Sequence, residues 1–199
     1  MDERTRKKHR QDSKETLWSV IASNLFSLLK IFLVCILLVY LCVNFITLPF
    51  HVKGPSMYPT VKDGEMGLSN AFMGRFSEVK RGDIVVVNEN KKTHTHWVKR
   101  VIGMPGESVY CKNDTVYIND VPLNEPYLQN DFAQNIRDTN IIFTEDFDEY
   151  QLGEDEYFLM GDNRLNSMDS RVLGAFDRDQ IKGIGLAIAI PISKVRIAK

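Results

Sequence analysis

The chain has 199 residues, with 25 Lys and Arg against 26 Asp and Glu. That is enough for one sizeable domain plus an anchor, and a net charge near zero gives no reason to expect nucleic acid as a partner. Cys35 and Cys42 share one apolar stretch and Cys111 stands alone outside it, which makes neither a disulfide framework nor a zinc site.

Residues 1–22 open with a basic cluster of Arg4, Arg6, Lys7, Lys8, Arg10 and Lys14. Placed just before an apolar run, it reads as a cytoplasmic topology signal, because Lys and Arg are retained on that side of a membrane. Residues 23–50 read as a transmembrane anchor. Ile31 to Phe50 carries no charged side chain, and about 20 apolar residues in a helix span about 30 Å, the thickness of a hydrocarbon core. The run is too long for the apolar part of a cleavable signal, and no small-x-small site follows it. Pro49 marks the expected exit. Residues 51–199 are then one domain on the extracellular side.

That domain reads as mainly β. Lys53 to Asn70 alternates apolar residues with Gly54, Pro55, Pro59 and Asp63-Gly64, the pattern of strand, tight turn and strand. Ala71 to Lys80 is a short helix or loop. Ile84 to Val87 is a buried-strand run, and Thr95 to Ile102 another strand. Glu107 to Cys111 and Thr115 to Asn119 form a hairpin. Residues 121–156 are less regular and read as a short insertion. Its acidic stretch 145–156 reads as a solvated excursion, since the spacing fits no oxygen-ligand loop. Tyr157 to Met160 and Ile181 to Ile190 are strands, and Ile192 to Ile197 an edge strand. Helical periodicity is almost absent outside the anchor.

Ser56 sits in Gly54-Pro55-Ser56-Met57-Tyr58-Pro59-Thr60, shortly after the anchor. Alone it is a turn serine; as a nucleophile it needs a base. The candidates are His51, His94, His96 and a desolvated lysine. Lys99, within Trp97-Val98-Lys99-Arg100-Val101-Ile102, has the apolar neighbours. A free lysine titrates near ~10.4, and burial lowers that by ~3–5; the plainer reading has Lys99 snorkel to solvent. His96 and Lys99 are oddly spaced, so on a regular strand they face opposite sides and do not serve one site. His94-x-His96 lacks a third metal ligand, and no cofactor or metal is expected. Ser77-x-x-Lys80 imitates the serine-lysine pattern of penicillin-binding enzymes without its companion motifs. The densest polar stretch is Gly161 to Arg171, where Asp169 and Arg171 are spaced to pair.

Four stretches together resemble the type I signal peptidases, membrane-anchored serine proteases with a Ser-Lys dyad. They are Ser56-Met57-Tyr58-Pro59-Thr60; Arg81-Gly82-Asp83-Ile84-Val85-Val86; Val98-Lys99-Arg100-Val101-Ile102-Gly103-Met104-Pro105-Gly106; and Gly161-Asp162-Asn163-Arg164 through Ser167-x-Asp169-Ser170-Arg171. The resemblance implies a sheet or barrel-like β catalytic domain, with Ser56 as nucleophile and Lys99 as general base. It makes Ser167 the hydroxyl that hydrogen-bonds the lysine, Asp169 and Arg171 a supporting ion pair, and Asp162 part of the same loop. It implies the Ser56 N–H as one oxyanion donor. Some members place a serine where this chain has Gly54, and commonly an aspartate where it has Glu107; the Gly54, the short middle section and the single anchor look Gram-positive. The implied partners are exported preproteins with small residues at positions −1 and −3, met at the membrane lipid surface, and secretion or pilus-assembly proteins if the task is dedicated. Met57 and Val98, beside the dyad, are the candidates to line the substrate pocket. The rival readings are a repressor-like Ser-Lys protease, which carries a DNA-binding domain in place of the anchor, and a non-enzymatic, membrane-tethered assembly or chaperone protein on the same fold.

Overall fold

The computed structural model describes residues 3–88 and 96–198. It divides into two units, 1–45 and 46–199. The first is helix α1 (Glu3–Ile46). Its segment Asn24–Ile46 has mean hydropathy 2.7 and buries none of its apolar window. Such a fully exposed apolar surface is far larger than an isolated water-soluble surface tolerates, and its length matches a bilayer core. Among the described residues it is the one helix long and apolar enough to cross a membrane.

The apolar run read as anchor to residue 50 changes character four residues earlier. Thr47–His51 is a strand, β1, and Phe50 is buried in the domain core. Pro49 cannot continue a helix, but it is tolerated on an edge strand, and β1 lies at the end of its sheet.

The second unit is built from two antiparallel sheets. The larger takes β1, β2 (Met66–Asn70), β3 (Ile84–Asn88), β4 (His96–Gly103), β9 (Glu156–Met160), β10 (Phe176–Asp177), β11 (Ile181–Ile190) and β12 (Arg196–Ala198), in the order β1-β2-β11-β3-β4-β9-β10 with β12 on β11. Register shifts in the β11–β2, β11–β3 and β4–β9 pairings bend these strands and curl the sheet. The smaller sheet takes β5 (Ser108–Lys112), β6 (Thr115–Ile118), β7 (Val121–Pro122) and β8 (Phe147–Gln151), in the order β7-β6-β5-β8. Asn113 and Asp114 make the β5–β6 turn with φ of 53° and 61°, the left-handed geometry that fits a two-residue hairpin to strand twist.

The stretch 145–156 is therefore not a loose excursion. It supplies β8, which pairs with β5 through Val109↔Tyr150 and Cys111↔Phe147. Its acidic side chains point outward from a strand whose Phe147 stacks on buried Phe158 at 5.4 Å. Helix is sparse beyond α1, as the periodicity implies: α2 (Ala71–Phe76), α3 (Asp131–Arg137) and α4 (Ser170–Leu173) are short. Residues 192–197 yield a 3₁₀ turn before the short β12. One core cluster joins the serine turn to the large sheet, through Phe50, Met57, Val61, Val86 and Leu186. A second packs the small sheet onto β4 and β9, through Val109, Val116, Ile102 and Phe158. Burial of such side chains stabilises each by about 1.5–3 kcal/mol.

Candidate active site

Ser56 lies on a closed turn. Val52 N donates to Glu65 O at 2.8 Å and Gly64 N to Val52 O at 3.0 Å, which fastens the base of the turn. Within it, Gly54 N donates to Asp63 Oδ1 at 2.8 Å and Tyr58 N to Pro55 O at 2.9 Å. Met57 and Val61 are buried on either side of the prolyl bend, so the turn hangs from two core anchors with Ser56 half-exposed at its crest. Among the described residues the Ser56 N–H has no partner, as an oxyanion donor requires.

Lys99 is on β4, where Val85 of β3 pairs beside it and apolar Trp97 and Val101 share its face. Only 3% of it is exposed. Burial pushes its pKa down from 10.5 to about 8; Asp169 and Asp162 oppose the shift and Arg171 adds to it. Lys99 does not snorkel.

Both residues line one cavity of about 300 Å³. Val52–Met57 form one wall and His96–Lys99 another, with Asn166 and Met168 contributed by the loop after β9. Met57 and Val98 are among the lining residues, as is Trp97. His96 and Lys99 both border the cavity, against the expectation from alternation, although β3 and β4 keep an unbroken register from Ile84↔Arg100 to Asn88↔His96. His96 Nδ1 is hydrogen-bonded to the Asn88 side-chain oxygen at 2.7 Å. His94 lies outside the described residues. His51 lines the cavity and is exposed.

The loop 161–171 brings the remaining candidates together. Arg171 Nε and Nη2 each donate to the Asp169 carboxylate at 2.9 Å, and Gly161 N donates to Asp169 Oδ2 at 3.0 Å. Burial alone would raise the Asp169 pKa, but these hydrogen bonds and the Arg171 charge hold it below the ordinary carboxylate value. Ser167 Oγ is buried with no hydrogen bond of regular geometry, although it is near enough to Asp169 to help hold that carboxylate ionised. Gly161 sets the spacing: a Cβ there would stand 2.3 Å from Ser167 Oγ and 2.4 Å from the Ser56 carbonyl oxygen. Only a glycine lets the serine turn and Ser167 approach this closely.

Asp162 has a larger place than the sequence assigns it. Its fully buried carboxylate accepts from Arg100 Nε at 2.8 Å and Nη2 at 2.7 Å, and from Thr60 Oγ1 at 2.5 Å. Arg100 Nη1 also donates to Gly82 O at 2.8 Å. One ion pair thus ties the serine turn, the β3 approach, the lysine strand and the 161–171 loop to each other. Arg100, Thr60 and Asn163 were missed as site residues. Asn163 N donates to Ser56 O at 3.0 Å and its side-chain nitrogen to Pro55 O at 3.2 Å. The signal for all three was their place inside the motifs; Gly82 is 18 residues from Arg100, and the Asp162 and Pro55 partners are 62 to 108 residues away in sequence.

The other serine-lysine candidate, Ser77 with Lys80, does not border this cavity. Ser77 N–H caps α2 on Met73 O at 3.0 Å, and Lys80 is exposed. Burial pushes the Cys111 thiol up to about 12, so it is not a thiolate at neutral pH. Among the described residues no group of three or more His, Cys, Asp or Glu is placed to hold a metal ion.

The cavity thus brings a half-exposed serine hydroxyl beside a buried lysine of lowered pKa, inside a buried ion-pair frame, groups of the kind serine hydrolases use. The comparisons agree with that class. Residues 25–190 match the family described as Signal peptidase, peptidase S26, and the chain belongs to it. It is 40% identical over 178 residues to Signal peptidase I P of Bacillus subtilis subsp. natto, covering 89% of this chain and 95% of that protein. It is 41% identical over 171 residues to Signal peptidase I T of Bacillus subtilis (strain 168), covering 85% and 88%. A crystal structure of a signal peptidase I from Enterococcus faecalis V583 aligns with TM-score 0.48 and 34% identity, covering 54% of this chain and 96% of that one.

Proposed function

We propose that Ser56 and Lys99 are the nucleophile and general base of a membrane-anchored peptidase acting on exported preproteins. The protein is a serine endopeptidase that removes signal peptides. The observation that carries the residue assignment is Lys99, buried, lowered to about 8 and lining the same cavity as Ser56.

At pH 7 about a tenth of such a lysine is neutral. Neutral Lys99 Nζ takes the Ser56 Oγ proton as Oγ attacks the scissile carbonyl carbon, and the carbonyl oxygen becomes an oxyanion beside the Ser56 N–H. The tetrahedral intermediate collapses, the C–N bond breaks, and the Lys99 ammonium gives its proton to the leaving amine. Water then attacks the acyl ester, Lys99 takes its proton, and the ammonium returns that proton to Ser56 Oγ as the ester bond breaks. Ser167 is the hydroxyl available to hydrogen-bond Lys99. Asp169, Arg171 and Asp162 support the loop that carries it.

The substrate chain is proposed to run along β4. β9 pairs with that strand only from Arg100 onward, so Trp97–Lys99 face the cavity, where an extended peptide can add main-chain hydrogen bonds. A cavity this small, with Met57 and Val98 in its wall, excludes bulk and fits small side chains at −1 and −3. α1 is proposed as a single span with its basic end in the cytoplasm, holding the catalytic unit outside at the lipid surface. The comparisons name peptidases, and nothing favours a non-enzymatic assembly role or a dedicated pilus task.

The test is preprotein cleavage in detergent by wild type, Ser56→Ala, Lys99→Ala and His96→Ala. The first two variants are expected to be inactive while folded, and His96→Ala active. Normal cleavage by Lys99→Ala alongside loss in His96→Ala overturns the dyad.

A further inference from the structure

The segment between β7 and β8 has no part in the mechanism above, yet it grips both halves of the site. Glu125 accepts from Arg164 through Nη1 at 3.3 Å and through a shorter bond from Nη2. Burial would lower the Arg164 pKa, but the Glu125 charge and hydrogen bonds reverse this and keep the guanidinium charged. The Arg164 side chain has no exposed surface, and its Nε donates to Gly161 O at 3.0 Å. Gly161 is the residue wedged between the Ser56 carbonyl and Ser167. Thr144, just before β8, accepts from Arg164 Nη1 at 3.3 Å.

Two further contacts leave the same segment. Tyr127 OH donates to Glu125 Oε1 at 2.5 Å, and its ring lies 4.0 Å from the Arg100 guanidinium, next in sequence to Lys99. Phe132 on α3 meets the Tyr58 ring edge-on at 4.8 Å, two residues past Ser56, and packs on fully buried Phe143 at 6.0 Å. None of these residues lines the cavity.

We infer that the 123–144 segment is a clamp that fixes the serine turn and the 161–171 loop in register, and that Glu125 is its positioning residue, acting through Arg164 and Gly161. The inference rests on the Ser56–Lys99 reading. Without the Glu125 carboxylate the buried guanidinium loses its counter-charge and its fixed direction, and Gly161 O loses a steady donor. A displacement of about 1 Å in a catalytic constellation lowers rates by about 100-fold. Neither Glu125 nor Arg164 lines the cavity; what shifts is the placing of Ser56 against Lys99, so the loss falls mainly on kcat.

The full chain in detergent is assayed on a preprotein, with kcat divided by the number of sites acylated at end point by a serine-directed probe. Glu125→Gln is expected to lose roughly 10–100-fold in kcat per site with KM within about twofold, and Glu125→Asp to recover part of it. Phe132→Ala, which loosens the grip on Tyr58, is expected to lose kcat in the same way. Glu149→Gln, an exposed carboxylate of β8, is the control and is expected to match wild type. If Glu125→Gln does not fold, Glu125→Asp and Phe132→Ala decide. An unchanged kcat per site, a loss confined to KM, or an equal loss in Glu149→Gln overturns the clamp. Ser56→Ala in the same assay separates the two claims: residual cleavage there defeats the catalytic reading itself, whereas an inactive Ser56→Ala beside an undiminished Glu125→Gln defeats only the clamp.

Discussion

Replacing Lys99 by methionine separates what the lysine does for chemistry from what it does to the fold. The gap between 10.5 and about 8 corresponds to about 3 kcal/mol of preference for the neutral amine in the folded state. The sign follows from linkage: between those two values the unfolded chain binds more protons than the native one, so stability rises with pH across that window. Below pH 8 the native state carries the full penalty; above 10.5 it carries none. Methionine is close in length, carries no charge, and leaves no carboxylate unpaired, because Asp169 is paired with Arg171 and Asp162 with Arg100. Lys99→Met is therefore expected to be inactive yet more stable at pH 7, by up to about 3 kcal/mol, or roughly 6–12 °C in Tm for a unit of this size. The advantage should shrink as pH rises from 8 to 10.5. The assay is denaturant or thermal unfolding of both full chains in one detergent at several pH values, beside a cleavage profile of wild type. Wild-type kcat/KM should rise roughly tenfold per pH step below a midpoint near 8 and level off above it. A variant no more stable than wild type, or a difference that does not change with pH, refutes the buried-base argument.

Two further substitutions test the frame. Gly161→Ala places a methyl against the Ser56 carbonyl and Ser167 Oγ; overpacking costs about 1–3 kcal/mol, and cleavage should fall more steeply than the denaturation midpoint, because what is displaced is the site. Asp162→Asn leaves buried Arg100 without its counter-charge, and breaking such a pair costs about 3–5 kcal/mol; a denaturation midpoint equal to wild type would show that the pair does not tie the motifs together.

The sequence made the strands of the large sheet legible because their residues are apolar in runs bounded by turn signals, as in Ile84–Val87 and Ile181–Ile190. It also marked Ser56, Lys99, Ser167, Asp169 and Arg171, which the structure places around one cavity and one loop. Three things were hidden, for one reason. That 145–156 adds a strand, that Arg100 and Asp162 join four motifs, and that Glu125 reaches Arg164 all depend on pairings across long separations in sequence, and charge alone names no partner. Gly54 shows the same limit at a single residue. Sequence notes only that it offers no hydroxyl to the oxyanion. The structure adds that it holds φ at +89° with open space where a Cβ would sit. Sterics thus allow a side chain there while the backbone resists it, at about 1–2 kcal/mol for an L-residue in that region. Gly54→Ala is expected to lose about that much stability with no change in KM, and Gly54→Ser to lose the same while exposing a hydroxyl beside Ser56. Equal stability of Gly54→Ala and wild type in denaturant would mean that the turn does not hold the left-handed bend; a kcat for Gly54→Ser above that of Gly54→Ala would make position 54 the seat of a second oxyanion donor.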